Sequence, residues 1–123
     1  MISNQQVLLV EDDQAYSHEV STALRDHGLV VAAVANADDG LALLEKNEYG
    51  VVVLDLVLHE SHGFPLLERL RKEKRNETVI IVTSFARDYV LELTKYFHQV
   101  RVIINKPCSA QQLLANVTAT LAS

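Results

Sequence analysis

Short runs of aliphatic residues that no polar side chain interrupts constrain the fold of this chain more than any other feature. Four of them are VLLV at 7–10, VVVL at 51–54, VIIV at 79–82 and the VII within RVIIN at 101–105. Because polar residues do not alternate with the apolar ones, each run predicts a strand that is buried on both faces, as in a parallel sheet. LVVAAVA at 29–35 predicts a fifth strand.

Segments with apolar residues at helical spacing separate the predicted strands. The first spans 14–27 and meets a stop signal at Gly28. Either Asn36 or Asp38 is suited to cap the second helix, and Ser109 is suited to cap the last. The helix after VIIVTS is expected to carry Tyr89, Val90, Leu93 and Phe97.

The alternation of strands and helices runs through the whole sequence and predicts an α/β fold. Five strand–helix pairs imply a parallel sheet with right-handed crossovers and helices on both faces, a (βα)5 unit. A length of 123 residues suffices for one domain with its own core. Because no linker, repeat or low-complexity stretch divides the sequence, we expect a single domain over residues 1–123.

Composition and charge exclude several classes of function. The formal net charge of −5 argues against a general nucleic-acid surface, which needs clustered lysine and arginine. RLRKEKR at 69–75 is locally basic but is predicted to be a solvated helix face. No apolar run approaches the roughly 18 residues of a membrane span, and no signal peptide opens the sequence. A single cysteine, Cys108, excludes an internal disulfide and fits a cytoplasmic location.

Chemically reactive side chains follow the carboxyl ends of four of the predicted strands. The carboxyl ends of parallel strands form one edge of a sheet, where open α/β folds build their ligand sites. We therefore expect these side chains to converge on one site. They are the acids Glu11, Asp12 and Asp13, then Asp55, then the hydroxyls of Thr83 and Ser84, and finally Lys106.

This combination of groups suits a magnesium-assisted aspartyl phosphate. An aspartate can act as a nucleophile and take up a phosphoryl group. Crowded carboxylates repel one another and favour a bound cation, and Mg²⁺ prefers oxygen ligands and bridges carboxylate to phosphate. A lysine supplies positive charge to a phosphoryl oxygen, and a threonine hydroxyl can donate a hydrogen bond to another.

With the motifs VLLVEDD, VVVLDLVL, IIVTSFA and INKP in this order and spacing, the chain resembles the receiver domain of two-component response regulators over its full length. The resemblance implies a flavodoxin-like, doubly wound sheet in the order 2-1-3-4-5. It also implies that a sensor histidine kinase or a histidine phosphotransfer protein is the phosphoryl donor. Such a module regulates a partner or a linked output domain and has no diffusible substrate, and dimerisation is left open.

The resemblance also assigns expected roles to individual residues. Asp55 is the expected phosphoacceptor. Asp12 is expected to bind Mg²⁺ directly and Glu11 mainly through water, with Asp55 and the backbone carbonyl of Val57 completing the protein ligands. Thr83 matches the switch hydroxyl, although counting back from the lysine slightly favours Ser84. Lys106 matches the phosphate-binding lysine, which a cis peptide typically joins to the following proline.

Some features depart from the family or leave an alternative open. Ile103 stands where the family usually has a tyrosine or phenylalanine that changes rotamer during switching, and Asp13 is expected to form only a turn. His59 and His62 lie on a polar loop and are predicted to be solvated. Val57, at the position of the second acid of haloacid dehalogenase phosphatases, argues against that class. A receiver-like interaction domain that signals without phosphorylation is the remaining alternative.

Overall fold

The computed structural model describes residues 4–58 and 61–122 and has the predicted α/β architecture. Five parallel strands form its main sheet, in the order β2-β1-β3-β4-β5, which confirms the predicted order. His59 and Glu60 lie outside the described residues. The strands are β1 (Gln6–Val10), β2 (Val30–Val34), β3 (Val51–Leu54), β4 (Thr78–Thr83) and β5 (Val100–Asn105).

Helices follow the strands in alternation, and a small antiparallel hairpin between Val57–Leu58 and Ser61–His62 precedes the third helix. Within the described residues, no helix is both long and apolar enough to cross a membrane. The helices are α1 (Gln14–Asp26), α2 (Ala37–Lys46), α3 (Phe64–Lys72), α4 (Arg87–Thr94) and α5 (Ala110–Ala122).

The sheet separates two apolar clusters, as the uninterrupted strands require. On one face, strand residues pack with Val20 and Leu24 of α1 and with Leu113 and Val117 of α5. On the other face, they pack with residues of α2, α3 and α4. Each fully buried leucine or valine contributes roughly 1.5–3 kcal/mol relative to an exposed one, so the strands are fixed in register by packing on both sides. The members of the second cluster on these three helices include Leu44, Leu66, Leu67, Leu70 and Val90.

The end of α1 and the starts of α2 and α5 follow the local signals in the sequence. Gly28 ends α1 with a φ of +93°, a conformation that glycine adopts readily. Asn36, rather than Asp38, caps α2 by accepting the Asp39 N–H at 2.8 Å. Ser109 accepts the Gln112 N–H at 3.1 Å, and the Gln112 side chain accepts the Ser109 N–H at 2.9 Å, which forms a capping box for α5.

The prediction that Phe97 belongs to the fourth helix is wrong. Helix α4 ends at Thr94, and the Phe97 N–H donates to the Thr94 carbonyl at 2.9 Å in a tighter turn. This turn brings the Phe97 ring to 6.3 Å from that of Phe64, centroid to centroid. Phe97 thus joins the core from a turn, and helical spacing alone could not distinguish the two arrangements.

Arg75 is also not the solvated residue that its basic segment suggested. It binds Glu77 through two hydrogen bonds of 2.9 and 2.7 Å and donates to the carbonyls of Leu44 and Asn47. Glu77 is only 3% exposed and also accepts the Tyr49 N–H. This pair therefore ties the end of α2 to the starts of β3 and β4, at the sheet edge opposite the acidic residues.

Replacement of Glu77 should destabilise the fold in a pH-dependent way. Burial opposes the charged carboxylate, but the Arg75 and Tyr49 hydrogen bonds outweigh it and hold the pKa of Glu77 below its ordinary value. We expect Glu77→Gln to lower the free energy of unfolding by about 2 kcal/mol at neutral pH. Because a depressed pKa stabilises the folded state above the unfolded pKa, the deficit should shrink as pH falls through and below about 4.5.

Urea unfolding of both proteins between pH 3 and 7 measures this difference. Glu73→Gln is the matched control, since Glu73 also faces Arg75 but at 3.6 Å and with 44% of its side chain exposed. It should change stability by less than about 1 kcal/mol. A Glu77→Gln deficit that is constant over the whole pH range would contradict the prediction.

Candidate functional site

The parallel register brings the predicted reactive residues to one edge of the sheet. Val10 pairs with Val34 on one side and Leu54 on the other, so β1, β2 and β3 end level with one another. The ladder continues just past the strands: the Asp55 N–H donates to the Val10 carbonyl at 3.1 Å, and the Glu11 N–H to that of Val34 at 3.0 Å. Backbone hydrogen bonds therefore fix the positions from which the Asp55 and Glu11 side chains extend.

Three carboxylates converge there, as the sequence predicted. Carboxylate oxygens of Glu11, Asp12 and Asp55 lie within 4.8 Å of one another, and they form a group that could hold a metal ion. Glu11 and Asp55 are buried, and Asp12 is half-buried. Burial raises the pKa of Glu11, and the neighbouring Asp55 charge adds to the effect, against the opposing influence of Lys106 and the Asp13 N–H. Such crowding of acidic oxygens favours a hard divalent cation.

Lys106 lies between two of these carboxylates. Its ammonium nitrogen is 2.7 Å from Glu11 Oε1 and 2.9 Å from Asp55 Oδ2. Burial acts to lower the pKa of Lys106, but the two carboxylates outweigh it and raise the pKa. Its N–H donates to the Thr83 carbonyl at 2.9 Å, and its peptide bond to Pro107 is cis. The lysine is therefore a fixed positive charge directly beside Asp55.

The turns after β1 and β3 orient the acidic side chains. Asp55 Oδ1 accepts the Val57 N–H at 2.9 Å, and Glu11 Oε2 accepts the Asp13 N–H at 3.1 Å. Asp13 itself caps α1 by accepting the Tyr16 N–H at 3.0 Å. Its role is therefore local, as a helix cap in addition to the predicted turn, and the carboxylates that could hold a metal ion are those of Glu11, Asp12 and Asp55.

Of the two candidate switch hydroxyls, Thr83 is the one integrated into the sheet. Thr83 is the last residue of β4 and is fully buried, whereas Ser84 is exposed. Thr83 pairs with Asn105 of β5, and its hydroxyl oxygen accepts the Phe85 N–H at 3.4 Å. Thr83 therefore lies at the same sheet edge as the acidic group.

Two side chains that the sequence did not single out connect the loop after β4 and the start of α4 to β5. Arg87 donates to the Ile103 carbonyl at 3.0 Å, and Asn105 donates to the Phe85 carbonyl at 2.5 Å. Ile103 is 9% exposed and belongs to the core. No local pattern could have identified these contacts, because each joins an ordinary polar side chain to a backbone group at least 16 residues away.

Tyr16 is a further residue whose position the sequence did not predict. It lies in the first turn of α1 and packs beside the core. However, its hydroxyl donates to the Cys108 carbonyl at 2.7 Å, and its ring centroid is 5.2 Å from the Lys106 ammonium nitrogen. Burial raises the pKa of Tyr16, and nearby Cys108 and the acidic group raise it further, so the hydroxyl stays protonated as a donor.

Comparisons with known proteins agree with this fold and site. The sequence profile of the response regulator receiver domain matches residues 7–118. The transcriptional regulatory protein HprR of Escherichia coli is 33% identical over 116 residues, which are 94% of this chain and 51% of HprR. The chain thus spans about half the length of that relative. Protein PilH of Pseudomonas aeruginosa is 26% identical, over 94% of this chain and 97% of PilH.

A solved structure gives the same result at the level of the fold. The CheY-like response regulator receiver domain protein of Methanospirillum hungatei superposes with a TM-score of 0.86 at 25% identity, over 99% of this chain and 95% of that one. The profile match covers nearly the whole sequence, and its family consists of phosphoacceptor modules that are not classical enzymes. This chain belongs to the response regulator receiver domain family of two-component signalling.

Proposed function

We propose that Asp55 accepts the phosphoryl group, and that the donor is a phosphohistidine of a sensor histidine kinase or a histidine phosphotransfer protein. The observation that carries this proposal is the 2.9 Å contact between the Asp55 carboxylate and the Lys106 ammonium group, beside the carboxylates of Glu11 and Asp12. These groups together offer a nucleophile, a cation site and a positive charge for the transferred group.

The transfer forms one bond and breaks one. A carboxylate oxygen of Asp55 attacks phosphorus, and the P–N bond to the donor imidazole breaks with its electron pair going to that nitrogen. No proton has to leave Asp55, because it reacts as a carboxylate. Lys106 would then bind one phosphoryl oxygen, and the Thr83 hydroxyl would donate a hydrogen bond to another. The domain catalyses only its own phosphorylation and dephosphorylation.

The donor set fits Mg²⁺, because it consists of carboxylate oxygens. Asp12 and Asp55 would bind the ion directly together with the backbone carbonyl of Val57, and Glu11 would act mainly through water. When bound, Mg²⁺ supplies positive charge against the phosphoryl oxygens during transfer. Glu11 and Asp55 share the ammonium group of Lys106, and a divalent cation would offset the negative charge that this sharing leaves.

The proposed module comprises residues 1–123 and acts in the cytoplasm. Its signal leaves through a linked output domain or through a separate partner, and it does not bind nucleic acid directly. The comparisons support both routes, since this chain covers 51% of HprR but 97% of PilH. Dimerisation of the module is left open.

Phosphorylation should occur on Asp55 without any kinase. Incubation with acetyl phosphate and Mg²⁺ should add the mass of one phosphoryl group, because a small phosphodonor needs only the nucleophile and its charged neighbours. Asp55→Asn keeps the size of the side chain, removes the nucleophile, and should take no label. Intact-mass spectrometry measures both. Equal labelling of the variant would refute Asp55 as the phosphoacceptor. An unlabelled parent would instead support the alternative function, an interaction domain that signals without phosphorylation.

Mg²⁺ affinity should depend on Asp12 and not on the charge of its neighbour Asp13. Asp12→Ala removes one oxygen ligand and should weaken binding by at least roughly tenfold. Asp13→Asn is the matched control, because asparagine is an equally good N-cap and only a nearby charge is lost. Calorimetric titration of the three proteins measures the affinities. Unchanged affinity in Asp12→Ala would exclude it as a ligand.

The switch should move the loop after β4 and leave Ile103 in place. Asn105 holds this loop to β5, and Arg87 holds the adjoining start of α4 there. Loss of the Arg87 hydrogen bond should therefore favour the loop conformation of the phosphorylated state. With about 1 kcal/mol for such a bond, the ratio of the two states should change roughly fivefold in Arg87→Ala.

Backbone amide NMR measures this shift. Without phosphodonor, the loop resonances of Arg87→Ala should move toward those of the parent bound to beryllofluoride and Mg²⁺. Arg101→Ala is the control, because it removes an exposed arginine from β5, and it should leave the loop resonances unchanged. A change of the Ile103 side-chain rotamer in the beryllofluoride-bound parent would contradict the prediction.

A further inference from the structure

Tyr16 contacts the Lys106 segment at two points. Its ring centroid is 5.2 Å from the Lys106 ammonium nitrogen, within the range of a cation–π interaction. Its hydroxyl donates to the carbonyl of Cys108, two residues further along the chain, at 2.7 Å. One side chain therefore holds both the charged end of the lysine and the backbone turn from which the lysine extends.

The second contact fixes a backbone group that lies largely inside the protein. Cys108 is 6% exposed, so its carbonyl depends on a protein donor for its hydrogen bond. The Tyr16 hydroxyl remains available as that donor because it stays protonated. The turn between β5 and α5 is thereby attached to the first turn of α1.

The same tyrosine is connected to the acidic side of the site. Its N–H donates to Asp13 Oδ1 at 3.0 Å, and the Asp13 N–H donates to Glu11 Oε2 at 3.1 Å. Glu11 Oε1 in turn accepts from Lys106 at 2.7 Å. These contacts close a ring from Glu11 through Asp13 and Tyr16 to Lys106. Displacement of the tyrosine would therefore affect both the ammonium group of the lysine and the backbone that carries it.

We propose that Tyr16 is a positioning residue for phosphoryl transfer, and that it acts by holding the Lys106 ammonium group beside Asp55. A lysine side chain has several rotatable bonds, so an ammonium group without lateral support samples other positions and is less often where the phosphoryl oxygen arrives. The ring limits this sampling, and the hydroxyl limits movement of the turn. The inference rests on the proposed phosphorylation of Asp55.

A double-mutant cycle with Lys106 distinguishes positioning from general structural support. We expect Tyr16→Leu to slow labelling by acetyl phosphate at saturating Mg²⁺ about three- to tenfold, as for the loss of a cation–π contact and a hydrogen bond. Tyr16→Phe, which keeps the ring, should be intermediate. In a Lys106→Ala background, followed long enough to measure slow rates, Tyr16→Leu should change the rate less than about twofold.

Tyr96→Leu is the matched control, since Tyr96 is 74% exposed, and it should label like the parent. If Tyr16→Leu slows labelling by the same factor with and without Lys106, the residue does not act through the lysine and the proposal is overturned. An unchanged rate in Tyr16→Leu, with thermal unfolding showing a folded protein, also overturns it.

A second measurement does not depend on phosphorylation. In the unphosphorylated protein, the Tyr16 ring current should shift the Lys106 ε-methylene protons upfield in the parent and in Tyr16→Phe, and the shift should be lost in Tyr16→Leu. Absence of that shift in the parent refutes the contact and the positioning role. If the parent shows the shift but takes no label, the proposed function fails while the Tyr16–Lys106 contact stands.

Discussion

The interaction on which the site depends is the ion cluster of Lys106 with Glu11 and Asp55. Both carboxylates are nearly inaccessible to solvent, and removing charges from water costs several kcal/mol for each ion. Lys106 offsets part of this cost through two contacts shorter than 3 Å. The positions of these three residues are therefore fixed mainly by the strands that precede them, and less by the favourable energy of the ion contacts. The strands that precede Glu11 and Asp55 are accordingly buried on both faces, from Val7 to Val10 and from Val51 to Leu54.

Polar clusters lie at both ends of the sheet, but they differ in kind. At the opposite edge, Arg75 and Glu77 form a bidentate pair whose remaining hydrogen bonds go to backbone groups of α2 and the start of β3. That pair joins an arginine to a buried carboxylate, and its hydrogen bonds tie neighbouring elements together. At the acidic edge, in contrast, the carboxylates of Glu11 and Asp55 share the ammonium group of Lys106. An excess of negative charge is unfavourable for folding and suitable for binding a cation, so the two ends are adapted to stability and to chemistry respectively.

Ile103 departs from the pattern that the family resemblance implies, and side-chain contacts connect the elements on either side of Lys106. Ile103 occupies the position of the usual switch aromatic and is buried in the core, while Arg87 and Asn105 attach the neighbouring loop to β5. On the other side of the lysine, Tyr16 joins α1 to the turn after β5. The loop after β4, the start of α4 and the turn after β5 are thus each tied to a neighbouring element by a side-chain hydrogen bond.

The amino-acid sequence by itself determined the five strands, their order through the family resemblance, and the convergence of Glu11, Asp12, Asp55 and Lys106. These follow from patterns that are local, namely uninterrupted apolar runs, cap residues, and reactive groups directly after each run. Only the tertiary structure decided the end of α4 at Thr94, the burial of Arg75 against Glu77, and the contacts of Tyr16 and Arg87. The physical reason is sequence separation: Tyr16 and Cys108 are 92 residues apart, and nothing near either one indicates the other. Such pairs form only after packing has fixed the strand register and the helix positions, so they were not visible in the sequence.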